Sequence, residues 1–200
     1  MILPFTLLLL CGLLIAGFLT QTHSGQLSER WMEKYGFAPN DLWTGRFERL
    51  FLSAFFTDRK SSFFQALILS LVMVGATEAF GGTWRAVLTF WGIHFAALLL
   101  ISLVLLPFYH LKIPFAVPLS LARDVGPSAG YFGCLGAVVF TSSWRWPAGS
   151  IVVIALTVFF FFPPRPGEDP HMKKQADSAH LIAFILGCIS CLLWPIKGLP

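Results

Sequence analysis

Six apolar stretches, separated by polar or proline-rich connections, decide what this chain can fold into. The third runs from Ala86 to Phe108 without one Asp, Glu, Lys or Arg. The others are Ile2 to Thr20, Phe63 to Phe80, Ser128 to Ser143, Ala148 to Phe162 and Ser178 to Trp194. A helix that crosses a bilayer needs about 20 mostly apolar residues. The fourth and fifth stretches are short for that, and bilayer thinning or longer neighbours accommodate such helices. Charged residues make up 12% of the chain, against about 25% in soluble domains. Too little charge is present to cover a water-facing surface. The expected class is therefore all-α, a polytopic membrane protein with six transmembrane helices. Residues 1–200 read as a single domain, with no internal repeat.

Charge and cysteine usage remove other classes. The formal net charge is +4, and the basic residues are scattered, so no patch points to nucleic acid. Cys11, Cys134, Cys188 and Cys191 all lie in apolar runs, unlike the exposed framework of a disulfide-stapled secreted domain. Cys188 and Cys191 have C-x-x-C spacing, but a reactive thiolate needs access and activation. The first stretch lacks the basic flank and small-residue cleavage site of a signal peptide, so it reads as a retained helix. No H-E-x-x-H pattern and no pair of intramembrane aspartates is present. No metal and no cofactor is expected.

The connections differ in character. Residues 21–62 form a long polar loop with Trp31, Tyr35, Phe37, Trp43 and Phe47, residues that settle at membrane interfaces. Residues 163–177 hold Pro163, Pro164, Pro166, Gly167 and Pro170 and are expected to be irregular. With six spans, the three long connections share one membrane face, onto which the fourth and sixth stretches open. That face carries most of the Lys and Arg, while the opposite one holds Arg85, Arg145 and Lys197. The positive-inside rule then puts the long connections in the cytoplasm.

Two polar residues near the starts of apolar stretches carry the chemistry. Ser128 comes directly after Gly126-Pro127, and proline suits the first turn of a helix. Ser128 is thus expected in a first helical turn, among unpaired backbone N–H groups that can hold an oxyanion. His180 opens the sixth stretch, and a neutral imidazole can take the proton of a serine hydroxyl. Phe132 shares a helix face with Ser128 and is placed to pack beneath the imidazole. Gly126, Gly130, Gly133 and Ala137 form a small-residue stripe that admits a neighbouring helix. Gly187 on the sixth stretch does the same. Gly126 to Gly130 also fits the G-x-S-x-G elbow, which requires a preceding strand in a soluble sheet. His94, inside the third stretch, is expected to make a structural interhelical bond, and Glu78 and Asp177 to cap or pair at segment ends.

These motifs resemble those of the rhomboid intramembrane serine proteases. Gly126, Ser128, Phe132 and Gly133 match the family's fourth-helix pattern, with Ala129 in place of a glycine. Ala179, His180 and Gly187 match its sixth-helix pattern, with Ile182 and Ala183 in place of two glycines. Arg49 to Phe56 resembles the segment before the second helix, and Gly75 to Glu78 that helix's end. The resemblance implies a Ser128–His180 dyad without an acidic third member. It implies transmembrane protein substrates in the lipid bilayer, and a cavity open on the extracytoplasmic side, opposite to the basic-residue count. It also implies a bacterial inner membrane location and a cytoplasmic Pro200. The family's second-helix histidine is missing here. Ser61 and Gln65 have the spacing to stand in as oxyanion donors. The alternatives are a rhomboid-like pseudoprotease that binds membrane proteins without cutting them, and an unrelated six-helix transporter or scaffold.

Overall fold

A computed structural model describes residues 2–193. Trp194, Lys197 and Pro200, which hold the end of the sixth stretch and two of the topology markers, lie outside the described residues. Each apolar stretch forms a helix. Helix α1 is Pro4–Leu19, and the first connection holds two short helices, α2 (Glu29–Tyr35) and α3 (Glu48–Leu52). Next come α4 (Lys60–Leu69), a π-helical turn (Ser70–Val74) and α5 (Gly75–Gly81), which run on as one rod. Then come α6 (Thr83–His110), the short α7 (Ala116–Leu121), α8 (Ser128–Thr141), α9 (Arg145–Phe161) and α10 (Pro170–Leu193). Among the described residues there is no strand, only the isolated bridges Gln26–Arg59 and Phe37–Asp124.

Three of these helices are long and apolar enough to cross a membrane: Lys60–Gly81, Thr83–His110 and Pro170–Leu193. At 1.5 Å per residue, the 28 residues of α6 reach about 42 Å. Helices α1, α8 and α9 are apolar but shorter, with 16, 14 and 17 residues. Large side chains such as Leu8, Ile15, Ile68, Val104, Ile151 and Phe161 are exposed on the outer helices. A soluble monomer rarely shows so much contiguous apolar surface. This exterior and the three long helices fit a membrane protein.

The expected irregular loop 163–177 is helical over its second half. Asp169 accepts a hydrogen bond from His171 N (2.8 Å) and Pro170 opens α10. This is an N-cap with proline at the first helical position, where its missing N–H costs nothing. The prolines that break the chain at 163–166 therefore stop short of Asp177, which is helical.

Helix α8 is the centre of the bundle. It packs most extensively on α10 and next on α6. Glycines set both approaches. A Cβ on Gly130 would meet the Phe90 ring, and one on Gly133 would meet Ile93, both from α6. The approach to α10 is tighter: a Cβ on Gly187 would overlap the Gly133 carbonyl, and one on Gly136 the Phe184 carbonyl. Within the stripe read from the sequence, Gly130 and Gly133 thus make room for α6, the backbone of Gly133 and Ala137 also meets α10 at Gly187, and Gly136, outside that stripe, faces α10.

Buried charge is spent on fastening segment ends. Glu78, 3% exposed, accepts hydrogen bonds from Phe5 N (2.9 Å), Thr6 N (2.8 Å), Thr6 Oγ1 (2.7 Å) and Thr83 Oγ1 (2.8 Å). It closes the first turn of α1, whose N–H groups have no partner within the helix. Hydrogen bonds to a charged group are worth about 1.5–3 kcal/mol each, and orphaned buried donors add a further cost. Glu78→Ala is therefore expected to lower stability by about 3 kcal/mol or more, read as reversible unfolding in detergent.

The first connection is folded. Asp41, 2% exposed, accepts from Arg49 Nη1 (2.9 Å), Arg123 Nη1 (2.8 Å) and Ala38 N (2.9 Å). Phe37, expected at the interface, is instead 1% exposed and packed with Leu50, Ile93, Ala97, Ala129 and Ala179. Its side chain fills the space where α6, α8 and α10 meet, and burial of an aromatic ring there outweighs an interfacial position. Trp43 and Phe47 are exposed.

Candidate active site

The segment leading into α8 is held from the first connection. Phe37 N donates to Asp124 O and Asp124 N to Phe37 O, both at 2.9 Å. Gly126 N donates to Ser53 O at 2.9 Å. Gly126 has φ +145°, a conformation that side chains disfavour. Pro127 then caps α8 and Ser128 is its first residue. Among the described residues, the N–H groups of Ser128, Ala129 and Gly130 make no hydrogen bond, whereas Tyr131 N already bonds Pro127 O (3.0 Å). Ser128 thus stands in a first helical turn with three such donors at the positive end of α8.

Ser128 and His180 line one cavity of about 640 Å³. Its walls come from α4 (Ser62, Gln65, Ala66), α8, α9 (Ile151, Ala155, Phe159) and α10 (Asp177, His180). No hydrogen bond joins Ser128 to His180, and the Ser128 hydroxyl has no partner among the described residues. The Phe132 ring lies against the imidazole, centroids 4.7 Å apart and planes tilted 37°. The other face of the site is charged: Asp177 Oδ1 lies 3.9 Å from His180 Nδ1, and Asp177 Oδ2 is held by Lys173 Nζ.

The candidate oxyanion donors divide. Gln65 and Gly126 line the cavity. Ser61 does not; it is exposed on α4, and its neighbour Ser62 lines the cavity instead. A helix turns 100° per residue, so a one-residue offset carries a side chain to another face. Ser62 and Gln65 share the cavity face at i, i+3 spacing. The polar lining groups outside the candidate set read from sequence include Ser62, Asp124 and Asp177. Asp177 stands three residues before His180, a relation visible in sequence only if that stretch is taken as helix.

His94 is 1% exposed, and its Nε2 meets Leu50 O at 3.0 Å. A carbonyl only accepts, so Nε2 carries the proton and Nδ1 is a lone-pair acceptor, with no partner among the described residues. Together with Ser53, Asp124 and Ser128 it lines a second, small pocket of about 10 Å³.

Asp124 borders both cavities. Burial raises its carboxyl to about 7; the nearby Asp58 charge adds to this and the Val125 N–H (2.8 Å) opposes it. The folded chain thus keeps this proton over a range where the unfolded chain has lost it. The resulting stabilisation is full below about pH 4 and is lost as pH rises through about 7. Thermal unfolding between pH 5 and pH 8 should show wild type losing more stability than Asp124→Asn over that interval.

No protein-family model matches this chain, and no curated protein is significantly similar to it. The functional reading therefore rests on residues and geometry.

Proposed function

We propose that this chain is a rhomboid-like intramembrane serine protease, a six-helix bundle in which Ser128 is the nucleophile and His180 the base. The observation that carries the reading is the shared cavity: a serine at a helix N-terminus and a histidine flanked by an aromatic ring and a carboxylate line one largely apolar pocket between apolar helices. In the reaction, Ser128 Oγ bonds to the scissile carbonyl carbon as its proton passes to His180. The oxyanion falls to the free N–H groups of α8, with Gln65 and Ser62 as further donors. The C–N bond then breaks and His180 returns the proton to the leaving amine. Water repeats the sequence: its oxygen bonds to the acyl carbon, its proton passes to His180, and the ester bond breaks to restore Ser128 Oγ–H.

The walls point to the substrate class. The cavity is bordered by apolar side chains of α8 and α9, and α9 is loosely packed, with Leu156 its one buried residue among those described. A transmembrane segment of another protein, locally unwound, is the ligand such a site takes. The missing second-helix histidine and the unformed Ser128–His180 hydrogen bond favour the second reading, a pseudoprotease that holds such segments without cutting them. One reagent separates the two. The full chain purified in detergent should be covalently labelled by a fluorophosphonate probe, and a folded chain that stays unlabelled is not a serine hydrolase.

A further inference from the structure

We propose that Asp177 is a positioning residue for His180, so that the site works as an Asp177–His180–Ser128 relay and not as a two-residue dyad. The inference rests on the protease reading above. Its basis is the carboxylate oxygen 3.9 Å from Nδ1, on the same face of α10 one turn earlier. Side chains three apart on a helix are neighbours. Both groups are largely shielded from solvent, at 15% and 19% side-chain exposure, so their attraction is only partly screened. Catalytic hydrogen bonds are often long in an empty site and tighten when substrate excludes water.

The surroundings point the carboxylate at the ring. Lys173 Nζ holds Asp177 Oδ2 and also donates to Phe159 O of α9 (2.8 Å). That leaves Oδ1 for His180. Helix stabilisation explains this ion pair poorly. The favourable i,i+4 order places the acid before the base, and here Lys173 precedes Asp177. A carboxylate accepting from Nδ1–H selects the tautomer whose Nε2 is the basic nitrogen, and it stabilises the imidazolium formed when Ser128 gives up its proton. Phe132 fixes the ring plane from α8. The other charged groups lining the cavity are Asp58 before α4, Asp124 before α8, and Arg165 and Glu168 before α10.

The test is the rate of fluorophosphonate labelling of the full chain in detergent, measured from pH 5 to pH 9. Asp177→Asn should slow labelling by about ten- to a hundredfold, less than in a fully enclosed triad because water reaches this site. It should also move the acid limb of the profile to lower pH, since the imidazolium loses its counter-charge. Asp177→Glu should recover most of the rate. Lys173→Met, which removes the ion pair and keeps the carboxylate, should cost less than Asp177→Asn. Thermal unfolding of each variant separates a folding defect from lost chemistry, and Asp177→Glu decides the matter if Asp177→Asn is unstable. Asp177→Asn labelling at the wild-type rate with an unmoved acid limb overturns this inference alone. Equal losses in Asp177→Asn, Asp177→Glu and Lys173→Met also overturn it, because they assign Asp177 to the ion pair. A folded wild type that takes no label overturns the protease reading and the relay with it.

Discussion

Ser128→Ala is expected to abolish fluorophosphonate labelling, and His180→Ala to slow it by at least about a thousandfold. The probe's phosphorus reacts with an oxygen whose proton is being removed. On the proposed reading, His180, which lines the same cavity, takes that proton, and the three free N–H groups in the first turn of α8 receive the negative charge. The hydroxyl of Ser128 makes no hydrogen bond among the described residues, so its removal leaves no buried partner stranded. Stability of Ser128→Ala should stay within about 1 kcal/mol of wild type. Ser62 borders the larger cavity and Ser53 the small one, and the two are the internal controls. Labelling that survives in Ser128→Ala and disappears in Ser62→Ala would move the nucleophile to α4.

Gly187→Ala is the second large effect, on stability and on the site together. The added Cβ would fall on the Gly133 carbonyl and within 3.1 Å of Ala137 N, both backbone groups of α8. A side chain can rotate away from a clash, but two helix backbones can only separate. The expected loss is about 3 kcal/mol, the upper part of the range for overpacked cores. Labelling should fall with it, because Ser128 rides on one of these helices and His180 on the other. Gly92→Ala gives the contrast: nothing lies within 4 Å of that position on α6. The change should shift stability by no more than about 1 kcal/mol, the helix-propensity difference. A Gly187→Ala protein as stable as wild type would mean that α8 and α10 do not approach at Gly133.

Asp177 shows where local reading stopped. Prolines at 163, 164, 166 and 170 argue for irregular chain, and for the first three that reasoning agrees with the structure. Pro170 has the opposite meaning because Asp169 precedes it and caps a helix. Proline serves as helix starter and as helix breaker, and its neighbours along the chain decide between the two roles. Once 170–177 is helix, Asp177 stands one turn from His180. Ser62 takes the cavity position expected of Ser61 for a related reason: without the helix phase of α4, the choice between Ser61 and Ser62 has no basis in spacing. Phe37 differs from its expected interfacial place because an aromatic in a polar loop looks interfacial until the space beneath the loop is known.

What residue order alone settled is what depends on composition and short-range periodicity. Apolar stretches with hardly a charge have to be helices in an apolar medium, since each backbone group must find its partner within its own segment. Gly126-Pro127-Ser128 likewise sets Ser128 at a helix start, because proline lacks the N–H that an interior position needs. Tertiary structure decided everything that depends on relative phase and distance: that Gly136 and Gly187 bring α8 against α10, that Glu78 closes α1 across the bundle, and that Asp177 and Phe132 flank one imidazole. Most of those relations join residues far apart in the chain. They arise from which helix faces can approach most closely, a property of pairs of helices that no single segment contains.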